Sequence, residues 1–406
     1  MKNSILATLV FIICTAAHAQ QVTTYECVHY EKADLIFPGD RAAQDAFYAK
    51  LDSLIAAKGE NINIWQVGGS HIQGGSFPYK LMENFQTWAG RGERGFLFPR
   101  QLAGTHADSR YRMTSEGKWF APMLTKYSAD PKPRYGITGF AARCDSAAWI
   151  GLNIDPQKKG LWHFNKVRIL GYGSSSKAYP EVLLGGKKIR HQYDSLTASY
   201  VFNLPSATDS IRVNFIVPEG EHFVFNGLQP ITGKKGVNYF ASGVNGAKVT
   251  AWADQCADLE RDLKLVKPDL VIFGLGINDS AMAPEKFSPD KFKAGYRRLI
   301  EKIQKTSPDC AFIFVTNNDS FYYIKGGMTH NLNAEAVRKS MVELALEYGA
   351  GVWDLYGLMG GDNSVITWTE NGLVGKDKLH FTTKGYKLLG DLLFEAIKRD
   401  WQNTKK

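Results

Sequence analysis

Past its first twenty residues the chain has no apolar run long enough to cross a bilayer, which argues against a helical membrane protein. Its cysteines show no zinc-site spacing, and no two histidines sit at the helical interval that metal ligands use, so no metal is expected. No basic run is interleaved with aromatics, which leaves nucleic acid an unlikely partner. Internal repeats and low-complexity segments are missing too, and with them any solenoid or array. No cofactor is implied.

The amino terminus reads as an export signal. Lys2 supplies the positive start, residues 5–14 an apolar stretch, and Ala17-His18-Ala19 a small-x-small cleavage site, so residues 1–19 are expected to be removed. Cys14 invites lipid attachment, but Ile13 before it is bulky where a small residue would be expected. A soluble periplasmic or secreted protein is the expectation. Lys and Arg number 49 against 40 Asp and Glu, a formal charge of +9. That balance suits anionic wall or capsule polymers, and it also serves plain solubility. Four cysteines follow the signal: Cys27, Cys144, Cys256 and Cys310. They allow three full disulfide pairings or buried free thiols, and spacing does not choose.

A chain of 406 residues exceeds one average domain. Apolar runs at 61–67, 237–242, 269–273, 311–316 and 351–355 read as strands, and patterns at 42–57, 248–265, 290–305, 332–348 and 384–399 as helices. This alternation predicts an α/β fold with a five-stranded parallel sheet covered on both faces. Between residues 95 and 235 the alternation stops. Short β-rich runs at 162–170, 181–184, 200–204, 211–217 and 223–225, separated by turn-rich pieces, predict a β-sandwich inserted into the α/β domain. The expected division is 20–94 and 236–406 for the α/β domain and 95–235 for the insertion. Its aromatics, among them Tyr172, Tyr179, Tyr193 and Tyr200, suit core packing and could also include sugar-stacking positions.

Three motifs carry chemistry. Gly68-Gly69-Ser70-His71 follows the first strand, and its glycines permit a tight turn that presents Ser70 as a nucleophile. Asp377-Lys378-Leu379-His380 places a carboxylate three residues before an imidazole, a spacing that lets Asp377 orient His380 as the base. Gly276-Ile277-Asn278-Asp279 lies at the tip of another strand, where a neutral Asn278 amide can donate to an oxyanion. Gly246 and the Ser70 amide are the other expected donors. Asp279 is expected to brace its turn, and His71, adjacent to Ser70, to support rather than react. Nucleophile, base, orienter and oxyanion donors together are the parts that acyl transfer needs.

These motifs, with Gly243-Val244-Asn245-Gly246-Ala247, resemble in sequence order the four blocks of the SGNH (GDSL-type) hydrolase superfamily. The resemblance implies a flavodoxin-like three-layer fold, a triad of Ser70, His380 and Asp377, and an oxyanion hole of Ser70, Gly246 and Asn278. The long β-rich stretch between the first two blocks is similar to the arrangement of peptidoglycan O-acetylesterases, where a carbohydrate-binding-module-like sandwich interrupts the hydrolase domain. One position departs from the pattern: Gly69 stands where the family usually has Asp. The implied activity is removal of O-acetyl groups from peptidoglycan or another acetylated polysaccharide. Transfer of acetyl to a sugar acceptor at the same site and non-catalytic glycan binding are alternatives; the lack of a long apolar lid disfavours a lipase.

Overall fold

The computed structural model describes residues 24–106, 108–126, 132–324 and 326–406. The expected signal, with Cys14, lies outside them.

A six-stranded sheet forms the centre. Its strands, in chain order, are β1 (Leu35–Ile36), β2 (Ile62–Gly68), β3 (Val237–Gly243), β4 (Leu270–Gly274), β5 (Ala311–Val315) and β6 (Gly351–Trp353). Across the sheet they run β1-β6-β5-β4-β2-β3. Strands β2 to β6 are parallel, and all five were legible because a strand covered on both faces reads as an unbroken apolar run. The count of five needs correction. β1 pairs antiparallel with β6 at the edge, and two residues are too few to show a pattern. The order of the parallel strands is that of flavodoxin-like sheets, with the direction of winding reversing between β2 and β4.

Helices cover both faces. Ala42–Ile55, Ser76–Ala89 and Thr383–Asn403 lie on one side, Leu259–Val266, Pro289–Gln304 and Ala334–Tyr348 on the other. Their starts follow local chemistry. Ser288 accepts a hydrogen bond from the N–H of Lys291 ahead of Pro289, and Thr382 accepts from the N–H of Gly385. Helix Thr383–Asn403 buries Tyr386, Leu389, Leu393, Phe394 and Ile397 at helical intervals, and Phe394 meets Phe85 of the neighbouring helix edge-on at 5.4 Å. Each such side chain contributes roughly 1.5–3 kcal/mol by leaving water.

The helix expected at 248–265 is broken. A π-turn at Ala251–Gln255 and a separate helix from Leu259 take its place. The break is set by tertiary contacts: the Asp258 N–H donates to the Tyr135 carbonyl at 2.9 Å, and Arg134 and Arg261 engage its carboxylate.

Between β2 and β3 the chain builds two antiparallel five-stranded sheets. One orders Ala142–Cys144, Phe223–Ile231, Phe164–Gly173, Ser199–Thr208 and His191–Asp194; the other orders Arg112–Glu116, Ala148–Asn153, Ser210–Ile216, Tyr179–Leu184 and Lys187–Ile189. Phe215 of the second packs against Phe223 and Phe225 of the first, with ring centroids 5.1 and 5.6 Å apart. The segments by which the chain enters and leaves this region are tied to each other. Leu97 and Leu228 exchange backbone hydrogen bonds of 2.7 and 2.9 Å, and the Glu93 carboxylate accepts from the N–H groups of Thr232 and Gly233. Cys27, Cys144, Cys256 and Cys310 are free thiols, the last three buried.

Candidate active site

The site is assembled at the carboxyl end of the sheet, where β2 and β4 part. Its floor is made of glycine. Gly243, Gly68 and Gly274 are register partners across β3, β2 and β4. A β-carbon on Gly68 would lie 2.4 Å from Ile72 Cγ1, and one on Gly243 would lie 2.2 Å from the backbone nitrogen of Gln73. The short helix Ser70–Gln73 therefore rests on bare main chain.

Ser70 opens that helix. Its Oγ lies 2.8 Å from His380 Nε2, and His380 Nδ1 lies 2.7 Å from Asp377 Oδ2. Since an ionised carboxylate only accepts, the ring proton belongs on Nδ1, which leaves Nε2 free to accept from the serine hydroxyl. Partial burial of Asp377 favours its neutral form, but hydrogen bonds from His380 and from the N–H groups of His380 and Leu379 outweigh this and hold the carboxyl below its ordinary pKa. Asp377 Oδ1 accepts from both backbone groups at 3.1 Å. The loop is locked on itself as well: Gly375 N–H donates to His380 O at 2.7 Å, and Lys378 adopts a left-handed φ of 51°. Its outer side is held by the Asn318 amide, which donates to Leu379 O, and by the Phe321 N–H, which donates to Lys378 O.

The other two expected donors come from neighbouring strands. The turn after β3 folds back over Gly69, and Gly246 sits there at φ +76°, exposed, a conformation that favours glycine. Asn278 lies in the short helix Ile277–Ser280 after β4. Its Nδ2 donates to Ala247 O at 3.1 Å, which consumes one of two N–H bonds and leaves the second for a ligand. Asp279 accepts from the Val249 N–H with both oxygens at 3.2 Å, and burial pushes its pKa up to about 6 against that bond. It joins this turn to the one that carries Gly246.

His71 does not reach toward Ser70. Its Nδ1 is 2.8 Å from the Tyr386 hydroxyl, and its ring packs 5.4 Å from that of His380. Burial, with His380 beside it, drives its pKa down to about 3, so a neutral ring stands behind that of His380. Asp319, His330 and Asp362 offer three metal-type ligand atoms within 4.8 Å of one another. The oxygens of Asp319 are already taken, one by His330 Nε2 at 2.6 Å and one by the Val365 N–H at 3.0 Å. That cluster reads as a structural pair behind the His380 loop.

Several contributors escaped the sequence reading. Gln73, Thr105, Asn318 and Tyr386 all bond to parts of the site. Only Gln73 carried a signal, standing on the same short helix as Ser70.

Residues 194–388 match the model of the GDSL-like Lipase/Acylhydrolase family. That stretch contains Gly246, Asn278, Asp377 and His380 but not Ser70, which the insertion separates from the rest. No protein of curated function matches the chain. Among solved structures, one described as a peptidoglycan O-acetylesterase in action matches 91% of this chain and 99% of its own, at 20% identity and a TM-score of 0.72. An acetyl xylan esterase (18% identity, 39% of this chain and 81% of its own, TM-score 0.30) and a carbohydrate esterase family 3 protein from Talaromyces cellulolyticus (15%, 41% and 72%, TM-score 0.29) share only a smaller part. The first of these shows a common fold over nearly the whole length, insertion included. Over residues 194–388 the chain is similar to the GDSL-like Lipase/Acylhydrolase family, and over nearly its whole length it shares the fold of the first of those structures.

Proposed function

We propose that the protein is an exported serine esterase that removes O-acetyl groups from a glycan, peptidoglycan or another envelope or environmental polysaccharide. The observation that carries this reading is the continuous chain from Ser70 Oγ through His380 to Asp377, with links of 2.8 and 2.7 Å. Ser70 Oγ attacks the acetyl carbonyl while His380 Nε2 takes its proton, and Asp377 stabilises the resulting imidazolium. The tetrahedral oxyanion rests on the N–H groups of Ser70 and Gly246 and the free N–H of Asn278. Collapse expels the sugar alcohol, protonated by His380, and leaves acetyl-Ser70. Water, deprotonated by His380, then releases acetate and restores the serine.

In this reading the inserted sheets, a β-sandwich at 95–235, hold the polymer. Support comes from a cleft of about 560 Å³ lined by Tyr172, Tyr179, His191, Tyr193 and Tyr200 together with Ser175 and Ser176. Tyr193 and Tyr200 meet at 5.2 Å, and so do His191 and Tyr200. Among the described residues no carboxylate or cationic side chain lines the cleft, which suits a neutral pyranose stacked on aromatic faces. Burial lowers the pKa of His191, with Arg190 adding to the shift.

A chromogenic acetate ester tests the chemistry. Wild type is expected to turn it over, Ser70→Ala to lose turnover while keeping its fold, and a sulfonyl fluoride to label Ser70. Equal rates in wild type and Ser70→Ala would leave glycan binding as the function. Tyr193→Ala is expected to spare this small ester and to slow acetate release from an acetylated polymer.

A further inference from the structure

The Gly246 N–H is aimed by a peptide plane that the inserted region holds. In a trans peptide the Asn245 carbonyl and the Gly246 N–H point in opposite directions, so fixing the oxygen fixes the hydrogen. The Thr125 hydroxyl donates to that oxygen at 3.2 Å. On the other side of Asn245 its own N–H donates to Gln73 Oε1 at 2.7 Å, and its side-chain amide donates to the Thr105 hydroxyl at 3.0 Å. Gln73 is buried, and its Nε2 donates to the same Thr105 hydroxyl at 2.7 Å. Arg100 in turn donates to the Gln73 carbonyl. Gln73 closes the helix that Ser70 opens, so one network spans the nucleophile's helix and the turn of the second donor.

This bracing is needed where it is found. Gly246 has a left-handed backbone and nothing within 4 Å of where a β-carbon would stand, so packing at residue 246 itself does not hold the peptide before it. We propose that Thr125 and Thr105, through Asn245 and Gln73, are positioning residues that set the direction of the Gly246 N–H relative to Ser70. The inserted region thereby takes part in the chemical step as well as in holding substrate. The inference rests on the esterase reading, in which Gly246 is an oxyanion donor.

Thr125→Val and Thr105→Val keep shape and remove the hydroxyl; Thr125→Ser and Thr105→Ser keep the hydroxyl. On a small acetate ester each Val variant is expected to lose roughly 10- to 100-fold in kcat, the scale of a donor displaced by about an ångström, with KM unchanged. The Ser variants should recover most of the rate. Independently of turnover, amide hydrogen exchange in a peptide spanning 244–250 should quicken in Thr125→Val and return in Thr125→Ser. Val variants with wild-type kcat and exchange overturn the proposal, as does an equal loss in Val and Ser variants. A wild type that never turns over ester removes the esterase reading, while the exchange measurement still decides whether Thr125 fixes the turn.

Discussion

Asn278 Nδ2 stands 2.9 Å from the point where a β-carbon on Gly69 would lie. The family's usual Asp at this position is absent here, and the space it would need holds the amide assigned to the oxyanion. A side chain at residue 69 would first meet that amide. Gly69→Ala is therefore expected to push Asn278 aside and lower kcat on a small ester at least about tenfold. Gly69→Asp should do no better. Rates at or above wild type for Gly69→Asp would show that the amide has room to move without consequence.

Removing the amide outright should cost more. Asn278→Ala is expected to lower kcat by about 10²–10³, near 3 kcal/mol of transition-state stabilisation, with KM little changed. Steady-state kinetics on the same ester checks this; a loss confined to KM would make Asn278 a binding group only.

The Asp377 carboxylate has a sharper signature. Asp377→Asn can donate to His380 Nδ1 and so favour the tautomer with the proton on Nε2, facing Ser70. A loss of about 10⁴-fold in kcat is expected, with thermal stability close to wild type because the group is partly exposed. Activity within tenfold of wild type would mean that another group orients the base.

These motifs could be read because each is local, and two of them follow apolar runs that read as buried parallel strands. Ser70 follows β2, Asn278 follows β4, and the Asp377–His380 pair precedes a helix that Thr382 caps. What could not be read depends on partners distant in the chain. β1 exists only by pairing with β6, and the break after Gln255 only because Tyr135 and Arg134 claim Asp258. Thr105 and Thr125 are single threonines in irregular chain, with nothing nearby to mark them. Cysteine spacing left pairings and thiols equally open, and the fold holds Cys27, Cys144, Cys256 and Cys310 as thiols.

Asp279 predicts a pH effect on stability. Its folded pKa of about 6 lies above the ordinary carboxyl value of 3.8, so the folded state holds the proton more tightly than the unfolded chain. Its favourable contribution is complete below pH 4 and is lost as pH rises through 6, about 3 kcal/mol for a shift of roughly two units. Asp279→Asn still offers an acceptor to Val249 and has no proton to lose. The melting temperature of the variant relative to wild type is expected to climb between pH 4 and 7 and then level. A difference independent of pH would place the ionisation elsewhere.

Three adjacent strands end in residues without side chains, and the helix bearing Ser70 lies directly upon them. The height of Ser70 is thereby set by backbone geometry. A single methyl group added at residue 68 or 243 would lift it.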